Sequence, residues 1–270
     1  MDEQLHFPAM AAAGYDAHVG QYTGGLVPRL LEIARLSAGQ TVLDVATGTG
    51  VASAAAATVV GNSGAVVATD ISPHMLSLAR ERLAAFRHSL FFVEDGQALS
   101  FPDQSFDAVL CHMGLMYFPD PDKGVREFYR VLRNNGRATV SVFHGSGPLF
   151  RLSSGRQFQG VATMIAARDP SNARHSGDFM KIGARVADLF AKAGFREIES
   201  QAYSGLLVMP NLDGYVQGIE AGAGSAGAEF LAVASEVREA VRAALHELVR
   251  EANGEEVKVI VPVMFASGLR

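Results

Sequence analysis

The sequence predicts an α/β protein built on a doubly wound, mostly parallel sheet of seven strands, the last of them antiparallel. Three observations carry that prediction. Short β-branched apolar runs alternate with segments of helical spacing through the first half of the chain. The first of those runs ends in a glycine turn, "ATGTG", that opens directly onto an alanine-rich segment. With 270 residues and 49% of them hydrophobic, there is ample material for one large core.

Residues 41–46, "TVLDVA", form the first predicted strand, and 50–60, "GVASAAAATVV", a helix stopped by "GNSG". The second strand is 65–70, "AVVATD". Ser72 is placed to cap the next helix with Pro73 as its first residue, and Met75, Leu76, Ala79, Leu83 and Phe86 then recur at helical spacing. Residues 90–96, 106–113 and 137–144 read as three further strands, with a helix over 122–136 between the last two. Strands joined by helices imply parallel βαβ units and a sheet covered on both faces.

After His144 the period is lost. Residues 145–178 read as an irregular insertion with one helix near 161–167, followed by a helix at 181–195 and a strand at 196–208. A glycine-rich stretch at 218–230 leads into one long helix, whose Phe230, Val233, Val237, Val241, Leu245 and Leu248 keep a single apolar face until Asn253 and Gly254 end it. The last strand is 257–268, where Pro262 argues for an edge position or a later start. Residues 1–144 are expected to hold the ligand-binding core, and 145–270 the insertion and the closing helices and strands of the same domain.

Composition narrows the function. A net charge of −5 offers no general attraction to nucleic acid or to an anionic membrane, and no uncharged apolar segment of spanning length occurs. The acidic start "MDEQLHFPAM" does not resemble a signal peptide. Cys111 is the lone cysteine, which suits a reducing compartment, and the eight histidines have no ligand-like spacing. The expectation is a cytoplasmic protein with a small-molecule partner and no metal; a homodimer is left open.

The glycine turn raises the question of ligand. A dinucleotide fold needs G-x-G-x-x-G against a pyrophosphate, yet here Gly48 and Gly50 are followed by Ser53 in the third glycine's place. Asp44, just ahead of the turn, would repel a pyrophosphate and welcome a cation. S-adenosylmethionine carries a sulfonium and an ammonium and no phosphate. Asp70, ending the second strand, can accept both ribose hydroxyls, and Asp95 can accept from an adenine amino group. A strand-end cap for Asp44 and a turn role for Asp95 stand as the alternatives.

With "VLDVATGTG", "VVATDIS", "EDGQALSFPDQSFDAV" and "REFYRVLRNNGRATVSVF" in this order, the chain resembles the class I S-adenosylmethionine-dependent methyltransferases, in the branch of the ubiquinone/menaquinone biosynthesis C-methyltransferases. Ala46 stands where many members have the loop's first glycine. The resemblance implies a Rossmann-like methyltransferase fold with an N-terminal lid, S-adenosylmethionine as cofactor, and methyl transfer to a small, partly apolar acceptor. The implied cofactor residues are Tyr15, Tyr22, Thr23, Asp44, Ala46, Thr47, Gly48, Asp70, Ile71, Met75, Asp95, Gly96, Gln97, Cys111 and His112. His18 lies in the same lid segment. His112 and His144, which follow the fourth and fifth strands, are candidate catalytic groups, and Tyr117 and Phe118 candidate pocket walls. A ligand-binding or non-methylating protein on this fold and a nicotinamide-dependent oxidoreductase are the rival readings.

Overall fold

A computed structural model describes residue 15 and residues 20–145, 148–170, 173–222 and 224–270, with side chains described throughout except at 21, 22, 173–180, 224 and 225. Five parallel strands set the frame: β1 (Thr41–Val45), β2 (Ala65–Asp70), β3 (Ser89–Val93), β4 (Phe106–His112) and β5 (Leu132–Phe143). They lie in the order β3-β2-β1-β4-β5. Because β1 pairs with β2 on one side and β4 on the other, the winding reverses there, and the carboxyl ends of β1 and β4 part to leave a crevice.

The helices that cover this frame follow their local signals. After α1 (Gln21–Gly24) and α2 (Val27–Ala34), α3 (Val51–Val60) follows β1, and α4 (Pro73–Arg82) follows β2. At the start of α4 the Ser72 hydroxyl accepts the Met75 N–H at 3.4 Å, with Pro73 as the first helical residue. The helix α5 (Pro121–Val131) repeats the device, the Asp120 carboxylate accepting from the Lys123 N–H at 3.0 Å. Between the layers Leu43, Val66, Leu110 and Val140 are buried, as both faces of a covered parallel sheet require.

The helix expected over 122–136 ends at Val131, and residues 132–136 enter β5 instead. Leu132 pairs with Phe106 while Arg137 pairs with Ala108, so the intervening residues form an irregular loop-out within the strand, with Asn135 at φ 65°. Asn and Gly, read as part of the helix, serve here to bend a strand.

The sheet has nine strands rather than seven. In the insertion, β6 (Leu149–Arg151) and β7 (Gln157–Gln159) form a hairpin with Phe150 stacked on Phe158 at 4.9 Å between ring centroids. Strands this short show no readable period. Next come α6 (Val161–Arg168), α7 (Ala173–Ala193) and β8 (Arg196–Met209); α6 and β8 lie near their expected places, while α7 begins eight residues ahead of the expected 181, within the stretch read as irregular. The long helix expected after the glycine-rich stretch is α10 (Ser235–Ala252), preceded by two short helices, α8 (Asp213–Glu220) and α9 (Gly224–Ala232), the second formed largely within the glycine-rich stretch, with Ala234 in extended backbone at the last break. The apolar spacing survives that break, since Phe230, Val233, Val241 and Leu245 are all buried. Periodicity reported the buried face and was silent on the kink.

β9 (Val257–Leu269) closes the sheet, antiparallel to both β5 and β8. Pro262 therefore lies inside a central strand, correcting the edge expectation. Its carbonyl accepts from the His144 N–H at 3.0 Å, just where β9 passes from β5 to β6 as its neighbour. A missing N–H costs no ladder bond at such a gap.

Gly50, at the mouth of α3, has φ 83°, and a Cβ there would lie 2.9 Å from Leu83 Cδ1 and 3.0 Å from Ala79 Cα. Both backbone and space demand glycine. Gly50→Ala is expected to lower unfolding free energy by about 2 to 4 kcal/mol, a left-handed penalty plus overpacking, measured by urea denaturation; a loss below about 0.5 kcal/mol would show that α3 and α4 do not meet this closely.

Candidate active site

The loop between β1 and α3 is organised from beneath by Asp44. This carboxylate is fully buried, and its Oδ2 accepts hydrogen bonds from the Thr47 and Ser53 hydroxyls, each at 2.7 Å. Its Oδ1 has no hydrogen-bond partner among the described residues. Burial pushes its pKa up to about 6, against the lowering effect of the two hydroxyls, and the charge of Asp70 adds to the rise. Ser53, which stands in for a third glycine, is thus part of the loop's internal bracing. Asp44 does not line the crevice, so the expectation of a carboxylate facing the ligand is corrected: it acts on the loop from the second row.

Above it the backbone is strained to present small residues. Ala46 has φ 55° and Gly48 φ 57°, both left-handed. A Cβ on Gly114, just after β4, would lie 2.6 Å from the Ala46 Cβ, so the methyl that replaces the usual glycine is accommodated by a glycine opposite. The Thr47 N–H donates to the Thr69 carbonyl at 2.9 Å, and Arg82 Nε holds the Thr49 carbonyl at 2.8 Å.

Asp70 joins this loop to the next one. Its Oδ2 accepts from the Gly48 N–H at 2.8 Å and its Oδ1 from the Ser72 N–H at 2.9 Å, leaving each oxygen a further acceptor position. Burial raises its pKa, opposed by those backbone donors. Asp95 Oδ1 takes the backbone N–H of Gln97 at 2.9 Å, while Gln97 Oε1 takes the Asp120 N–H at 2.7 Å. Gly96 is packed under Phe118, whose ring carbon would lie 2.4 Å from any Cβ there.

The crevice is a cavity of about 170 Å³. Of the residues expected from sequence it brings together Tyr15, Thr23, Ala46, Thr47, Gly48, Asp70, Ile71, Met75, Asp95, Gly96, Gln97 and His112, with Tyr117 and Phe118 as walls. The side chain of Tyr22, like His18, lies outside the described residues. Cys111 is fully buried off the cavity, its thiol held protonated by burial and by the neighbouring Asp44 charge, which corrects its assignment. His144 is corrected too: it does not line the cavity, and its Nδ1 is buried against Gly183 of α7. Met113, Gly114 and Glu94 line the cavity without having been expected.

His112, the last residue of β4, has both ring nitrogens engaged. Nδ1 lies 2.6 Å from Ser141 Oγ and Nε2 2.9 Å from the Thr23 carbonyl. Burial lowers its pKa to about 4.

Asp44 gives a stability prediction with a definite sign. Its folded pKa, about 6, exceeds the ordinary 3.8, so the native state is favoured below pH 4 and loses that advantage as pH rises through 6. Chemical denaturation should show the wild type falling relative to Asp44→Asn by up to about 3 kcal/mol between pH 4 and 7.5. Parallel pH profiles for the two proteins would refute the raised pKa.

Residues 42–136 match the family described as "Methyltransferase domain". Over 108 residues the chain is 41% identical to the ubiquinone/menaquinone biosynthesis C-methyltransferase UbiE of Escherichia coli, a match covering 39% of this chain and 43% of that protein. The chain thus matches less than half the length of those relatives. Among solved structures, phosphoethanolamine N-methyltransferase 2 of Haemonchus contortus in complex with S-adenosyl-L-methionine superposes with a TM-score of 0.58 at 18% identity, covering 97% of this chain and 57% of that one. The [4+2]-cyclase SpnF superposes with a TM-score of 0.55 at 18% identity, covering 91% and 81%. Residues 42–136 therefore match a methyltransferase domain and are similar there to UbiE, and the chain shares its fold with solved structures that include a methyltransferase in complex with S-adenosyl-L-methionine.

Proposed function

We propose that the protein transfers a methyl group from S-adenosylmethionine to a small, partly apolar acceptor. The observation that carries this reading is the matched methyltransferase segment, whose motif residues Ala46 to Gly48, Asp70 and Asp95 converge on one cavity at the reversal of the sheet. The residues present fit the cofactor. Each oxygen of the Asp70 carboxylate keeps an acceptor position after its backbone bond, which suits a pair of vicinal hydroxyls. A Cβ on Gly48 would meet nothing within 4 Å, so the loop leaves room where it faces the crevice. A buried acid beneath the loop, Asp44, with one oxygen unpaired, favours a cationic ligand over a phosphate. That disfavours a nicotinamide dinucleotide.

When bound, the cofactor supplies an electrophilic methyl group. The chain's own task is positioning. Asp70 holds the ribose end, Asp95 and Gln97 stand at the adenine end, and Tyr117 and Phe118 wall the cavity against water. A net charge of −5 agrees with a small molecule rather than nucleic acid as partner, and the lone cysteine with a cytoplasmic setting. The presence of a cyclase on the same fold means that the reaction must be read from the site and not from the architecture.

Calorimetry should show binding of S-adenosylmethionine and S-adenosylhomocysteine and no competition from NADH or NADPH. Asp70→Ala should weaken both adenosyl ligands by about 1.5 to 3 kcal/mol, the worth of hydrogen bonds to a charged group. Tight NADH binding would overturn the cofactor, and an unchanged dissociation constant in the variant would remove Asp70 from the ribose position.

A further inference from the structure

The bonds around His112 determine its tautomer without reference to pH. Ser141 faces His112 across the β4–β5 register, so both side chains lie on the same side of the sheet. Ser141 Oγ accepts the Met113 N–H at 3.1 Å and, because a carbonyl oxygen at Nε2 requires the neutral ring's proton there, donates its own proton to His112 Nδ1, 2.6 Å away. Nδ1 is then the acceptor, and the neutral ring carries its proton on Nε2. That proton is donated to the Thr23 carbonyl at 2.9 Å, the only role an imidazole nitrogen can take toward a carbonyl oxygen. The same carbonyl accepts the Leu26 N–H at 3.0 Å. Thr23 is buried and lines the cavity, and Leu26, Val27 and Leu30 behind it are part of the core.

We propose that His112 is a positioning residue: a relay, set by Ser141, that ties the Thr23 segment down over the cavity and thereby slows escape of the bound cofactor. This places it outside proton transfer. Its Nδ1 lone pair is occupied by the Ser141 hydroxyl and its Nε2 already carries a proton, so it can take a proton from an acceptor only by giving up the Ser141 bond. A group that must stay neutral to hold two strands and a helix end together is well served by burial, which resists its protonation. The proposal rests on the cofactor reading only for its consequence in ligand escape; the tie itself is a property of the chain.

Three variants separate the tie from general packing. His112→Ala removes both bonds. His112→Gln keeps a donor near the Nε2 position. Ser141→Ala removes the hydroxyl that sets the tautomer, yet the Met113 N–H retains the Ser141 carbonyl at 2.9 Å, so no backbone donor is orphaned. In the free protein, hydrogen exchange at the Leu26 amide should quicken about tenfold in His112→Ala and by a smaller factor in Ser141→Ala, and return toward wild type in His112→Gln, the scale of one buried hydrogen bond. Dissociation of radiolabelled S-adenosylhomocysteine should quicken by a similar factor in His112→Ala, with association changed less than about threefold. Unchanged Leu26 exchange in both His112→Ala and Ser141→Ala would overturn the tie, and so would a His112→Gln protein that exchanges as fast as His112→Ala. Failure of the wild type to bind S-adenosylhomocysteine would overturn the cofactor reading, while the exchange measurement would still decide the tie.

Discussion

The burial of the Asp44 carboxylate is the constraint on which the site depends. A charge-bearing group at the centre of a parallel sheet is costly unless hydrogen-bonded, and Asp44 recruits the Thr47 and Ser53 hydroxyls to one oxygen. Thr47 belongs to the loop and Ser53 to the first turn of α3, so a single acceptor determines how the chain leaves β1 and where the helix begins. Gly48 and Gly50 can then be left-handed because both ends of their loop are held. Asp70 completes the frame by holding the Gly48 and Ser72 amides at once, which puts the mouths of α3 and α4 in register.

Around this frame the cavity is shaped by which side chains are absent. Gly114 yields to the Ala46 methyl, and Gly96 and Gly124 yield to the Phe118 ring. Each pair puts one bulky or strained group against one with no Cβ, and the cavity is what remains between them. Ala46 in left-handed backbone is a strained choice whose tolerance depends on Gly114, a residue far along the chain.

The first half of the fold was legible because its elements are local. "SPHM" and "DPDK" announce α4 and α5 through caps that form within four residues, and β2 is a β-branched run bounded by a turn at each end. The second half depends on pairings that no local signal carries. Pro262 is tolerated in a central strand because β5 ends beside it, and the break at Ala234 leaves the apolar spacing of α9 and α10 intact. In the site, the family resemblance named positions that gather at the cavity but not which row they stand in. Asp44 and Cys111 sit one layer below the wall, because side chains alternate across a strand while a motif is read in one dimension.

Electrostatics ties these parts together. Two acids, Asp44 and Asp70, lie close enough that the charge of one raises the pKa of the other, and burial penalises both. The fold supplies them with hydroxyls and backbone amides but with no cationic side chain among their described hydrogen-bond partners. His112, the titratable base on the same cavity, is held neutral by its burial, against the opposing effect of its hydrogen bond to the Thr23 carbonyl. Burial of two acids in one loop is a standing cost to the native state that packing elsewhere offsets. A ligand bearing positive charge removes that cost on binding, whereas a pyrophosphate deepens it. On the proposed reading, then, the same burial that destabilises the free protein is the source of its preference for a cationic cofactor.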